Sequence, residues 1–358
     1  MNDFFKVVIL SFNHPEITQR CVNSVLQLGI LPERVILIHN GSDRNFVQFL
    51  QKKLPGIQHL VLEKNLGFTA GANAGLRLGF SQTEWIYFLT NDTEALNLPS
   101  QIPLEPSLIS PLIHRRKVSV VASRLGFFDP RWGELTHLQN AGDFSKLPLH
   151  GYLYAPGAGF LIPKIIFSET NGFDETLHTY WEDVDLSVRV QKAGFQVKHD
   201  PKLSLIHFVG KTCHKKSFYT TYLFHRNRKI VSFRYLEKRF QWFLLLVLLK
   251  DFFFNTIRLA MSRRWKDVWL LFTAYLSRNP SMRLPHGGAP GKLENYLQTR
   301  AWIQPVPPDR VSSLSSPSLG PTAGESNPLA GLHAPSKYGS PHPESKHAHD
   351  EHSEPSPL

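Results

Sequence analysis

Four runs of apolar residues set the rhythm of the first ninety positions. Residues 5–12 (FKVVILSF), 34–38 (RVILI), 57–62 (IQHLVL) and 85–89 (WIYFL) each end in polar, turn-forming residues. Short runs of this kind read as strands buried on both faces, as in a parallel sheet. Between them the period changes. Pro15 suits a first helical position, and Ile17, Cys21, Val22, Val25 and Leu26 recur at helical spacing. Phe46, Phe49 and Leu50 define one face of a second helix, and the small-residue stretch 67–76 forms a third. Strand and helix in alternation imply right-handed βαβ units around a parallel sheet.

The pattern loosens further on. Residues 97–117 are rich in Pro, Leu and Ser and show no assignable period. Residues 118–122 predict a short strand, 129–149 a loop, and 158–162 (AGFLI) a strand entered through Pro156-Gly157. A turn at 171–175 precedes a helix with Leu186, Val190 and Ala193 on one face, closed by Gly194. Two last strands are expected at 196–198 and 203–208, the second bearing His207. The fold class is α/β, with a mostly parallel central sheet and flanking helices.

Composition adds constraints. The 358 residues suffice for a full-sized core and a second unit, and 42% hydrophobic with 19% charged residues is ordinary for a globular protein. A net charge of +11 points to an anionic partner. No nucleic-acid-binding motif accompanies it, so no nucleic acid is expected. Two distant cysteines, Cys21 and Cys213, make neither a disulfide framework nor a zinc spacing, which fits a reducing compartment. Residues 1–6 lack the features of a signal peptide, so a cytoplasmic protein is expected.

The candidate chemistry gathers at strand ends. Asp92 stands just past the fourth apolar run, in Asn91-Asp92-Thr93-Glu94. Ligands of open α/β sheets bind beyond the carboxyl ends of strands. An Asp-x-Glu pair there presents oxygens to a hard divalent cation shared with a phosphate; the same residue types also make a capped turn. The glycines between Gly67 and Gly75 do not spell GxGxxG, and no GxxxxGK[ST] occurs, so neither a Rossmann site nor an NTPase phosphate loop is expected. Ala70, Gly71, Ala74 and Gly75 either let their helix approach the sheet or leave its N-terminal N–H groups to a diphosphate. Glu182, Asp183 and Asp185 complement a helix dipole. Beside Tyr180 and Trp181 they exceed what capping needs, and a carboxylate against an aromatic wall suits a general base. His207 is either a structural strand residue or a ligand.

Five motifs occur in order: Val8-Ile9-Leu10-Ser11-Phe12-Asn13, Asn40-Gly41-Ser42, Asn65-Leu66-Gly67-Phe68 with Gly71 and Asn73, Asn91-Asp92-Thr93, and Gly172-Phe173-Asp174-Glu175 leading to Trp181-Glu182-Asp183-Val184-Asp185-Leu186. Together they resemble the family-2 glycosyltransferases of GT-A fold, in particular the bacterial rhamnosyltransferase-like branch. The resemblance runs through residues 1–212 and more weakly through His225-Arg226-Asn227. It implies a metal-dependent, inverting transfer of a hexosyl or deoxyhexosyl group from a nucleotide-diphosphate sugar donor to a glycan or lipid-linked acceptor, in cell-surface polysaccharide synthesis. It implies that Asp183 is the catalytic base. Asp92 would bind a divalent cation (Mg2+ or Mn2+) on the donor diphosphate, with His207 as a further ligand and Glu94 as a third candidate. Donor contacts are implied at Ser11, Asn13, His39, Asn40, Asn65, Gly67, Gly71, Asn73, Asn91 and Asp92, and acceptor contacts at Trp181, Glu182 and Asp185. His39 departs from the family's Asp, which contacts the nucleotide base, and Asn91 is neutral where a full Asp-x-Asp carries charge. The chemistry is coherent, since a cation offsets charge on the leaving diphosphate and a base must reach the acceptor hydroxyl.

The last third differs in character. Phe218, Tyr222 and Tyr235 lie among Arg226, Arg228, Lys229, Arg234, Lys238 and Arg239, and the apolar run 242–249 is interrupted by Lys250-Asp251. That run is too short to span a bilayer. With Trp242, Trp265 and Trp269 it forms helices that either lie in an anionic membrane interface, peripheral on the inner face of the cell membrane, or dock on the catalytic domain. From Pro285 a Pro-, Ser- and His-rich tail is expected to be disordered, and His342, His347, His349 and His352 are loose metal ligands at most. The expected organisation is 1–212 catalytic, 213–284 helical extension and 285–358 tail. Two rivals remain. A sugar nucleotidyltransferase needs a Gly-rich basic loop after the first strand, which Ser11-Phe12-Asn13-His14-Pro15 is not. A non-catalytic nucleotide- or glycan-binding relative would read His39 and Asn91 as decay, against the retention of Asp92, Asp183 and His207.

Overall fold

The computed structural model describes residues 4–101, 103–115, 120–148, 150–208 and 218–277. Cys213 and the tail from Pro285, with its histidines, lie outside the described residues. The first four apolar runs become β1 (Phe5–Ser11), β2 (Val35–Asn40), β3 (Gln58–Leu62) and β4 (Trp85–Thr90), parallel and in the order β3-β2-β1-β4. Alternate side chains serve opposite layers. Val7, Ile9 and Leu37 pack with Cys21, Val22 and Val25 of α1 (Pro15–Gln27) and Leu50 of α2 (Arg44–Lys53). Val8, Leu10, Ile36 and Ile38 pack against α3 (Gly67–Phe80). The face of α2 is rotated from its expected position. Asp43 caps the helix by accepting from the Asn45 amide, which turns Val47 and Leu50 inward and leaves Phe46 and Phe49 partly in solvent.

In α3, Gly71, Gly75 and Gly79 recur every fourth residue and press on the sheet. A Cβ at Gly75 would overlap the Ile38 side chain, and one at Gly71 would lie 2.7 Å from Asn40 Nδ2. The small residues therefore bring helix and sheet backbones close together.

Downstream come β5 (Thr93–Ala95), β6 (Ser107–Arg115), β7 (Val121–Ser123), β8 (Leu125–Asp129), β9 (Glu134–Leu138), β10 (Tyr152–Tyr154), β11 (Gly159–Pro163), α4 (Lys164–Thr170), α5 (Glu182–Lys192) and β12 (Gln196–His207). The large sheet continues β4-β11-β6-β12-β5, with β7 on β6, and six of its nine strands run in one direction. Three expectations change. The stretch 97–117 contains β6, a strand paired on both sides. The supposed loop 129–149 contains β9, which pairs with β8 in a small sheet of order β10-β8-β9. The two last strands are one, β12, whose pairing with β6 is interrupted between Asp200 and Ser204, where Pro201 cannot donate a ladder hydrogen bond.

The helical extension comprises α6 (Phe218–Tyr235), α7 (Gln241–Met261) and α8 (Trp265–Leu276). Of the two arrangements left open, docking on the catalytic domain is what α6 does. Val231 is buried with Phe128, Tyr154, Trp181, Val184 and Val188. Asn227 Nδ2 lies 2.8 Å from each of the Leu177, Thr179 and Tyr180 carbonyl oxygens, and Arg226 donates to the Thr176 carbonyl at 2.6 Å. Arg228 donates to the Gly133 carbonyl and pairs with Asp251 of α7 at 2.7 Å, while Lys229 donates to the Tyr275 carbonyl at the end of α8. Four consecutive residues thus hold the turn 176–180, the β8–β9 turn and both later helices. Among the described residues no helix is long and apolar enough to cross a membrane.

Because the fully buried Asn227 side chain donates to backbone carbonyls of the turn 176–180, Asn227→Ala is expected to lower unfolding free energy by about 2 kcal/mol. Urea denaturation with an unchanged m-value measures this. A change within error would show that the turn 176–180 holds its shape without α6.

Candidate active site

The site forms where β4 ends and β11 begins. The Thr90 amide donates to the Ala158 carbonyl at 3.0 Å, and its hydroxyl donates to Asp92 Oδ1 at 2.8 Å. One residue earlier, the Gly157 amide donates to Asp183 Oδ2 at 2.9 Å. The segment Gly157–Ala158 therefore links the Asp92 and Asp183 carboxylates, which lie 91 positions apart in the chain, bonding directly to Asp183 and by way of Thr90 to Asp92. His207 reaches the same place because β12 pairs His207 with Thr93, putting its Nε2 3.5 Å from Asp92 Oδ2. The Phe208 amide donates to the Asp92 carbonyl at 2.9 Å and fixes that register.

Asp183 begins α5 after an unusual approach. His178, Tyr180 and Trp181 all have left-handed φ angles, of 66°, 67° and 70°. Such conformations cost bulky residues free energy and persist only where the surroundings impose them. Asn227 and Arg226 do so from α6. Asp183 Oδ1 also accepts from the Val184 amide at 2.9 Å. Burial raises its carboxyl pKa, while the two amides and His137 of β9 pull the other way. Its neighbour Glu182 is pushed well above the usual carboxylate range, first by burial and then by the Asp183 charge, and its Oε2 has no hydrogen-bond partner. Two amides favour the ionised form of Asp183 and none supports Glu182 Oε2, so Asp183 carries the charge of the pair. Burial lowers the His137 pKa and Asp183 opposes the shift.

On the proposed donor side, most of the expected residues scaffold the crevice. Ser11 Oγ and Asn91 Nδ2 are both buried against Thr18 Oγ1, at 3.2 and 2.9 Å, tying β1 and the Asn91 turn to α1. Asn40 accepts from the Leu66 amide and donates to the Gly67 carbonyl, both at 2.8 Å, and Asn65 accepts from the Gly67 amide. Gly67 has φ +80°, and a Cβ there would overlap the His178 ring. The Thr69 amide donates to the His178 carbonyl, so this turn of α3 is engaged within the protein. Gly71 packs on Asn40. Asn73 is buried, exchanging hydrogen bonds with Phe173 and donating to Glu175. Asn13 accepts from the Asp43 amide and donates its own amide to Ser42 Oγ, joining the ends of β1 and β2. These bonds engage Ser11, Asn40, Asn73 and Asn91 within the protein, where they shape the ends of β1, β2 and β4 and the start of α3. His39 is likewise buried, on the face shared with Leu37, with Nε2 2.9 Å from His59 Nδ1. Burial and then His59 push its pKa down to about 4, so it is neutral, and its Nδ1 has no partner.

Glu94 is turned into an ion pair with Arg20 and does not join Asp92 and His207. Among the described residues no cluster of three potential metal ligands occurs. The Asp92 carboxylate is an oxygen ligand of the kind that a hard cation takes, and the His207 imidazole beside it would add a nitrogen. Of the residues expected on the acceptor side, Asp185 is held entirely within the protein. It is fully buried, receiving Arg189 at 2.8 Å, Arg234 at 2.6 Å and the Tyr235 hydroxyl at 2.7 Å. Trp181 is packed edge-on to Phe128, and with Glu182 it is turned inward. Thr90, Gly157, His137 and Asn227 were not foreseen as site residues. Only the weak His225-Arg226-Asn227 motif signalled any of them. A cleft of about 360 Å³ lined by Phe127, Trp132, Glu134, Thr136 and Leu138 lies on the face of β9 opposite His137 and includes neither carboxylate.

Residues 6–157 match the sequence model of the family described as Glycosyl transferase family 2. Over 240 residues the chain is 26% identical to the N-acetylglucosaminyl-diphospho-decaprenol L-rhamnosyltransferase of Mycobacterium tuberculosis strain H37Rv, covering 58% of this chain and 76% of that protein. The protein of strain CDC 1551 / Oshkosh gives the same values. Solved structures with some similarity include the mannosyltransferase PcManGT from Pyrobaculum calidifontis in complex with GDP-Man and Mn2+, with a TM-score of 0.44, 11% identity and coverage of 76% and 86% of the two chains. Another is S. aureus TarS 1–349 in complex with UDP-GlcNAc, with a TM-score of 0.46, 13% identity and coverage of 75% and 79%. Residues 6–157 are thus matched by the family-2 glycosyltransferase model, the family that the sequence motifs resemble.

Proposed function

We propose that the chain transfers a hexosyl or deoxyhexosyl group, with inversion, from a nucleotide-diphosphate sugar to a hydroxyl of a glycan or lipid-linked acceptor. The observation that carries this reading is the Gly157–Ala158 link, which sets the Asp183 carboxylate and the Asp92–His207 pair on the two flanks of one segment. Asp183 accepts the proton of the acceptor hydroxyl while that oxygen bonds to the anomeric carbon. The bond from that carbon to the diphosphate oxygen breaks on the opposite face. Asp92 and His207 would hold a Mg2+ or Mn2+ ion, which when bound supplies positive charge to the leaving diphosphate. The relative from M. tuberculosis is named for L-rhamnosyl transfer to an N-acetylglucosaminyl-diphospho-decaprenol. That name supports a deoxyhexose donor and a lipid-diphosphate acceptor here, with the enzyme working at the cytoplasmic face of the cell membrane in cell-surface polysaccharide synthesis.

Asp183→Asn is expected to reduce turnover by about 10²- to 10⁴-fold, the usual contribution of a general base, while donor affinity holds. Burial raises the Asp183 pKa and the base works only when ionised, so kcat/KM in the native chain is expected to fall on acidification beginning above about pH 3.9, the ordinary aspartate value. Unchanged turnover in the variant would remove Asp183 from the base role. For the cation, Asp92→Ala is expected to abolish the Mn2+-dependent part of donor binding by calorimetry, and His207→Ala to weaken it. If the native chain binds donor equally with and without Mn2+, neither residue holds a metal.

A further inference from the structure

Docking of α6 leaves the outer faces of α7 and α8 exposed. On α7, Trp242, Leu246, Leu249, Phe253, Ile257 and Met261 recur every third or fourth residue, all at least 42% exposed. That is one continuous apolar stripe along a helix about 30 Å long. The opposite face, with Leu244, Leu248 and Leu259, is buried. On α8, Trp265, Trp269, Phe272 and Leu276 repeat the pattern, while Leu270, Leu271 and Ala274 face inward. An exposed apolar surface of this extent marks an interaction site.

We propose that these two faces form a plate that lies flat in the headgroup region of an anionic lipid bilayer. The charges around the plate select this occupant. Residues 237–269 hold seven basic residues and three acidic ones. Each of the three acids is already in an ion pair, Glu237 with Arg239, Asp251 with Arg228 and Asp267 with Arg264. Lys238, Lys250, Arg258, Arg263 and Lys266 are exposed beside the apolar stripe. A second copy meeting this face would bring two basic rims together, whereas anionic headgroups complement them. Lys250 and Asp251 in the middle of α7 exclude a spanning pose, and the three tryptophans suit the interfacial zone. The plate deepens the function proposed above, resting on it only for the place of the acceptor. Arg228 and Lys229 hold α7 and α8 from the helix whose Asn227 holds the turn before Asp183, so the plate is rigidly related to the site.

The test is flotation of the full chain with phosphatidylglycerol–phosphatidylcholine vesicles and with pure phosphatidylcholine vesicles, without any sugar nucleotide. The expected result is co-flotation with the anionic vesicles, weakened by salt, and at least about tenfold weaker in Leu249→Glu/Phe253→Glu with an unchanged Tm. Trp265→Ser on α8 serves as an independent second variant and is expected to weaken binding in the same direction. Undiminished flotation of both variants, or equal binding to neutral vesicles, would overturn the proposal. So would absence of flotation with a dimer in sedimentation that either variant dissociates, which would assign the plate to a second copy. Binding is read without turnover, so a chain that floats but transfers no sugar would overturn the function alone.

Discussion

Two adjacent backbone groups, the Gly157 N–H and the Ala158 carbonyl, tie the site together. One donates to Asp183 and the other accepts from Thr90, whose hydroxyl orients Asp92. The segment enters β11, which runs antiparallel to β4 through the middle of the sheet, so it cannot shift without breaking the ladder from Gly159 to Pro163. Carboxylates held this way need little reorganisation when charge moves, which is how buried polar sites lower barriers. The family match ends at residue 157, at this junction. Asp183, His207 and α6 lie beyond it and meet the matched part here.

Three acids within one helical turn have three different fates, and the difference lies in their partners. Asp185 is fully buried but surrounded by two guanidinium groups and a phenol, which satisfy it as an anchor. Burial and the Asp185 charge hold the Tyr235 phenol above its ordinary pKa, so it remains a donor. Glu182 has burial without a partner for Oε2 and keeps its proton. Asp183 has burial that raises its carboxyl pKa, opposed by two amides and a neighbouring imidazole. Removing one partner from a buried charge costs more than the pair contributes, so Asp185 fixes where Arg234 of α6 sits rather than adding much net stability.

The N-terminal half was legible because strands buried on both faces are unbroken apolar runs, and β1, β2 and β4 are that. β6 was not, because Ser110, Pro111 and His114 break its apolar pattern and only its neighbours β11 and β12 make it a strand. β12 read as two strands because Asp200, Pro201 and Lys202 mark a real irregularity that the partner strand bridges. Within the site, Asp92 and Asp183 stood out as acids abutting apolar or aromatic residues. Asn40, Asn73 and Asn91 stood out equally by motif, but their amides close buried turns, a use that only the folded contacts reveal. Gly157 and His137 carry no local signal and Asn227 only the weak His225-Arg226-Asn227 motif, since each acquires its partner from a segment distant in the chain.

The most direct measurement of the central claim, that the site where β4 ends and β11 begins takes a nucleotide-diphosphate sugar, is a thermal-shift screen of the full chain against UDP-, dTDP- and GDP-sugars, with and without Mn2+. A ligand at a hundred times its Kd stabilises by about 2.7 kcal/mol, which raises Tm by several degrees in a chain of this size. The account predicts a Mn2+-dependent rise with one nucleotide class. No rise with any of the three, on protein that melts cooperatively, would contradict it.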